Sequence, residues 1–126
     1  MTDQTRREQL LQEFKELSVR HYEASVQGDF ETVNKVVAAI EEIVRELWDS
    51  GGRTKEALKE LSELSKDRNP GVAIKAVIYT VELYPEVADE LGRLQRDKGL
   101  VGLAAKTAIK NVQRGNVGWL REVLNG

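Results

Sequence analysis

The sequence contains no cysteine, which removes disulfides, thiolate metal sites and a cysteine nucleophile, and fits a reducing compartment. It has a single histidine, His21, so no second imidazole exists to share a metal. Two prolines and an aromatic content of 6% leave a core built mainly from Leu, Val, Ile and Ala, and a composition that favours helix over sheet. Long apolar runs are missing as well. The stretch Val36-Val37-Ala38-Ala39-Ile40 is typical of the longest, far short of the roughly 20 residues that span a bilayer. The opening Met1-Thr2-Asp3-Gln4 leads into Arg6-Arg7-Glu8-Gln9 with no apolar stretch behind it, unlike a signal peptide. These absences predict a soluble, cytoplasmic protein with no membrane partner. Its 126 residues suit a single domain with one continuous core.

What is present is charge, at 32% of residues, and it is unevenly placed. Residues 1 to 92 carry 12 basic and 19 acidic side chains, whereas residues 93 to 126 carry seven basic and two acidic. Such segregation either steers a charged partner or reflects solvated helix faces.

Apolar periodicity predicts seven helices. The first, about residues 4–27, places Leu10, Phe14, Leu17 and His21 on one face, and Gly28-Asp29 reads as a stop followed by a new N-cap. The second, 30–49, carries the stripe Val33, Val36, Val37, Ile40, Val44, Leu47, which makes the two an antiparallel hairpin. After Ser50-Gly51-Gly52, a third helix is expected over 54–65, with Ala57, Leu58, Leu61 and Leu64 inward. Pro70 opens a fourth, 71–84, that is apolar nearly all round and so belongs between other helices. A fifth (85–95), a sixth (100–113) and a short terminal helix (117–124) complete the chain.

An internal echo supports stacked pairs. Gly71-Val72-Ala73-Ile74-Lys75-Ala76-Val77-Ile78 matches Gly102-Leu103-Ala104-Ala105-Lys106-Thr107-Ala108-Ile109, thirty-one residues later, with four of eight positions identical. A weaker echo, Val33-Asn34-Lys35-Val36-Val37-Ala38, would place Lys35, Lys75 and Lys106 at equivalent positions.

The turn Asp67-Arg68-Asn69-Pro70-Gly71-Val72 is similar to the Asp-x-Asn-Pro-x-Val turn that leads into the inner helix of a HEAT-like repeat, departing from it at Ala73, where many such repeats have Arg. More specifically, residues 8–113 resemble the bacterial family called "domain of unknown function 2019". The resemblance rests on Leu10, Phe14 and Leu17, on Gly28-Asp29 and Asn34-Lys35, and on Glu46-Leu47, Gly51-Gly52, Asn69-Pro70 and Lys75-Ala76. It implies an all-α fold, a right-handed α-α superhelix of about three antiparallel helix pairs (HEAT/ARM-like) plus a short C-terminal helix, and nothing catalytic.

No Gly-rich phosphate loop or serine elbow occurs, and Gly51-Gly52 is a helix break. His21 on the flank of an apolar stripe reads as a satisfied, half-buried histidine. The carboxylates Glu41, Glu42, Glu46 and Asp49 read as a solvated face rather than a cation site. No cofactor is expected. The favoured reading is a non-catalytic protein-interaction module, an immunity, antitoxin or adaptor type among its possible uses. Its inner helices would present a concave charged surface of Glu41, Glu42, Glu46, Lys75, Tyr79, Lys106 and Lys110. One alternative is nucleic-acid binding through the stripe Lys106, Lys110, Arg114, against which the acidic pI near 5.5 weighs. Another is an enzyme using His21 with carboxylates. Trp48 should pack against the adjacent turn. Trp119, with Leu120, Val123 and Leu124, either caps the stack or forms a docking edge for a partner or a second copy of the chain.

Overall fold

The computed structural model describes residues 3–125. Helix α1 (Asp3–Gln27) and helix α2 (Phe30–Ser50) form the predicted hairpin. Gly28 makes the turn in the left-handed region, φ +73°, where a side chain would be strained. Asp29 then caps α2, its carboxylate accepting from the Thr32 amide at 3.2 Å and from the Thr32 hydroxyl at 2.6 Å. The helices run antiparallel, so Arg6 at the start of α1 meets Glu46 near the end of α2, 2.8 Å apart. Leu10, Phe14, Val36, Ile40, Val44 and Leu47 fill the seam.

The next layer pairs a short irregular segment with a well-formed helix. The segment is a 3-10 turn (Lys55–Leu58), α3 (Lys59–Glu63) and a second 3-10 turn (Leu64–Lys66). Its partner, α4 (Pro70–Thr80), is capped by the Asn69 side chain, which accepts from the Gly71 and Val72 amides. The third layer repeats this plan with a 3-10 helix (Pro85–Glu90), the single turn α5 (Leu91–Leu94) and α6 (Leu100–Gln113). The turns before α4 and α6 are built alike. The Asn69 amide donates to the Asp67 carboxylate and the Gly99 amide to Asp97, each at 2.8 Å. Helix α7 (Trp119–Asn125) closes the stack.

The fold is therefore all-α, a superhelical stack of antiparallel helix pairs. Among the described residues, no helix is long and apolar enough to cross a membrane. Helix α4 is the hub, in contact with α1, α3, α5, α6 and α7. On one side Ala76 and Tyr79 join the core of α1 and α2, where the Tyr79 ring meets Phe14 edge-on, centroids 6.4 Å apart. On the other, Ala73, Val77 and Val81 pack with Val87, Leu91 and Val101.

Four expected boundaries change. The third and fifth segments are mostly 3-10, because each is too short to hold a helix alone and is shaped by neighbours. The Tyr84 hydroxyl donates to the Lys55 carbonyl at 2.9 Å, and Arg93 donates to the Ser65 carbonyl at 3.1 Å. The fourth helix ends at Thr80 rather than residue 84, since the Leu83 and Tyr84 amides both turn back to the Thr80 carbonyl. The last helix begins at Trp119, two residues late.

The two glycines Gly92 and Gly102 should respond oppositely to Ala. A Cβ at Gly102 falls 1.8 Å from the Asp97 carbonyl oxygen, whereas one at Gly92 meets nothing within 4 Å. In urea unfolding, Gly102→Ala is expected to cost about 1–3 kcal/mol and Gly92→Ala to gain about 0.5–1 kcal/mol. Asn69→Ala should cost about 1 kcal/mol through the lost cap.

Candidate functional site

Positions 71, 74, 75, 78 and 79 recur every three or four residues, so they share one face of α4. That face is the floor of two adjoining depressions. The first has a volume of about 80 Å³ and is walled by His21 and Tyr22 of α1 and by Leu100, Val101 and Ala104 of α6. The second, about 180 Å³, is walled by Glu41 of α2 and by Trp119, Glu122 and Val123 of α7. Ile78 lines both. Together they make a groove along α4, about 12 Å from Gly71 to Tyr79 at 1.5 Å per residue.

Burial perturbs three ionisable groups of the groove, Lys75, His21 and Tyr79. Lys75 is half-buried, and burial pushes its ammonium down to about 8, opposed by the attraction of Glu41. Burial, with the neighbouring Lys75 charge second, lowers His21 to about 4, so the imidazole is neutral at pH 7. Tyr79 is pushed up to about 12 by burial and then by Glu41. None of these three side chains has a hydrogen bond or ion pair to another described residue. Glu41 acts on Lys75 through space, outside the 4.0 Å of an ion pair.

Some expected site residues meet here and others do not. Glu41, Lys75, Tyr79 and Trp119 converge on the groove. Glu41, Lys75 and Tyr79 were expected on a concave charged surface, and for Tyr79 and Lys75 their burial departs from that expectation. Tyr79 is only 6% exposed, a core residue of the first layer, and Lys75 is half-buried, because α4 has neighbours on nearly every side. Glu42 and Glu46 lie elsewhere, beside Arg6 and Glu13 on the outer α1–α2 surface, with Glu46 paired to Arg6. Lys106 and Lys110 on α6 and Arg114 at its C-cap are exposed, free of ion pairs to described residues. His21 is half-buried on the flank of its stripe and faces Lys75 rather than a carboxylate. Trp48 packs half-buried against the first core. Leu120 and Val123 are buried within the chain, so α7 caps the first core while Trp119 faces the groove.

Sequence reasoning missed Ile78 and the α6 wall, since nothing in an all-apolar helix marks which apolar residue faces a groove. It also missed four exposed large apolar side chains, Val26, Phe30, Leu100 and Leu103, at 60%, 71%, 42% and 62%. Phe30, directly after the Asp29 cap, was the one with a local signal. Among the described residues no group of three or more His, Asp or Glu side chains could hold a metal ion. Comparison with family models, curated proteins and solved structures found no match to this chain.

The perturbed groups make stability depend on pH with a defined sign. Between pH 8 and 10 the unfolded chain holds the Lys75 proton more tightly than the folded one, so stability rises with pH there, by on the order of 2 kcal/mol. Above pH 10 Tyr79 opposes this, because the unfolded state then loses its phenol proton first. From about pH 6.5 down to 4 stability falls, as the unfolded state protonates His21. Urea titrations should show Lys75→Met flattening the alkaline rise and His21→Gln reducing the acid loss.

Proposed function

We propose that the chain is a non-catalytic protein-interaction module of the cytoplasm whose stacked helix pairs hold a segment of another protein in the groove over α4. The observation that carries this reading is that Glu41, Lys75, Ile78, Tyr79 and Trp119, from three helices, converge on one mainly apolar groove. Apolar lining with sparse charge is what a partner's side chains displace water from. Lys75, without an ion pair to any described residue, favours a partner segment that brings an acidic group to it. The resemblance to the bacterial "domain of unknown function 2019" family and to HEAT-like repeats agrees with a scaffold of this kind. An immunity-type or adaptor role is one use of it.

A second reading, nucleic-acid binding, draws on Lys106 and Lys110 of α6 and on its C-cap Arg114, exposed at i, i+4 and i+8 without ion pairs to described residues. One experiment separates the two. Tagged wild-type chain is used to capture partners from its native host, in parallel with Ile78→Arg, with Glu122→Arg and with the triple variant Lys106→Glu/Lys110→Glu/Arg114→Glu. Thermal melts check that each is folded. The groove reading expects a protein whose recovery drops at least tenfold with Ile78→Arg and Glu122→Arg and persists with the triple variant. It fails if recovery is indifferent to both groove variants, if only a second copy of the chain is recovered, or if the triple variant instead abolishes heparin-sensitive nucleic-acid retention.

A further inference from the structure

The half of the groove between α1, α4 and α6 has a chemistry of its own. Its walls are apolar apart from His21, Lys75 and the phenol of Tyr22, and no carboxylate of a described residue lines it. Glu41 belongs to the other half. From the cavity geometry, we propose that it binds a monocarboxylate attached to a short apolar group, with Lys75 as its ionic anchor and His21 as a neutral hydrogen-bond donor. The inference deepens the groove reading and rests on it.

Three observations carry it. The first is charge balance. The cavity itself holds the Lys75 ammonium and, at pH 7, a neutral imidazole, while Glu41 of the adjoining half attracts Lys75 without an ion pair, so a monoanion adds less uncompensated charge to this apolar setting than a phosphate dianion would. The second is the state of Lys75. It is half-buried with no carboxylate of a described residue in ion-pair contact, and an arriving carboxylate would supply the charge-assisted bond that the described residues do not. The third is size. A volume of about 80 Å³, roughly half the ~150 Å³ that encloses a benzene ring, encloses about three heavy atoms, so the rest of a short chain would extend out of its mouth. Gly71 keeps the inner end narrow, where a Cβ would stand 3.2 Å from that of Tyr22. Leu100, 42% exposed, lies at the outer rim.

Such a carboxylate can be a free short-chain acid or the C-terminus of a partner that ends in an apolar residue. The test titrates the whole chain with hexanoate, with hexan-1-ol, and with acetyl-Ala-Ala-Leu as free acid and as amide. Backbone amide shifts at Gly71 and Val101 are followed by NMR. Saturable shifts at both residues are expected with hexanoate, at least tenfold tighter than with hexan-1-ol on the same wild-type protein. Lys75→Met, which removes a buried charge and keeps the stem, should weaken hexanoate at least tenfold while its melting temperature is maintained or raised. If the peptide acid binds more tightly than both hexanoate and its own amide, the source is a protein C-terminus; hexanoate binding without peptide binding makes it a free acid. The proposal is overturned if no carboxylate shifts these amides, if hexan-1-ol matches hexanoate, or if Lys75→Met binds like wild type. Continued partner capture that depends on Ile78 and Glu122 would then leave the groove reading standing and only this inference lost.

Discussion

The helix Pro70–Thr80 buries eight of its eleven residues, and most of the other elements are arranged around it. A helix apolar on nearly all sides needs neighbours on nearly all sides, and α1, α3, α5, α6 and α7 supply them. Each of Val72, Ile74 and Val77, withdrawn from water, contributes about 1.5–3 kcal/mol. Ala73 and Ala76, at 0% exposure, keep the approach of neighbouring elements close. Two buried hydroxyls in this setting are satisfied within their own helix. Thr80 donates to the Ala76 carbonyl at 2.6 Å and Ser18 to the Phe14 carbonyl at 2.7 Å.

The same burial sets the electrostatics of the groove. Lys75 is the single charged residue of α4, and it projects from the only face its neighbours leave partly open. Its position contrasts with the surface pairs. Glu31 and Lys35 meet at 3.2 Å with side chains 81% and 76% exposed, where water and salt cancel most of the attraction. Charge is therefore plentiful where it counts for little and scarce where the dielectric makes it strong.

What the sequence revealed was what local chemistry decides. Gly28-Asp29 and Asn69-Pro70 announced their turns because a left-handed glycine and two side-chain caps act within three residues of themselves. The 3-10 character of 55–58 and 85–90 could not be read this way. It depends on bonds such as Tyr84 to Lys55 and Arg93 to Ser65, which join residues far apart in the chain. The candidate site was half legible for a related reason. Aligning Lys75 with Lys106 treated both as surface charges, but α4 is surrounded and α6 is not. The first lysine is half-buried while the second stays in water. Residue type gave the charge, and only the neighbours gave its environment. Tyr79 went astray likewise, its polar tip suggesting a surface while its ring anchors against Phe14.

Helix α7 brings the end of the chain back to its beginning. Leu120 and Val123 are part of the core of α1 and α2, and Arg45 donates to the Val123 carbonyl at 3.2 Å across 78 residues of sequence. An open array of repeats stores its stability unit by unit, so its end can fray while the rest persists. Here the last turn of helix is mortar for the first layer. Through Leu120 and Val123, α7 is packed into the core shared by α2 and α4, which ties the last helix described to the first layer of the stack.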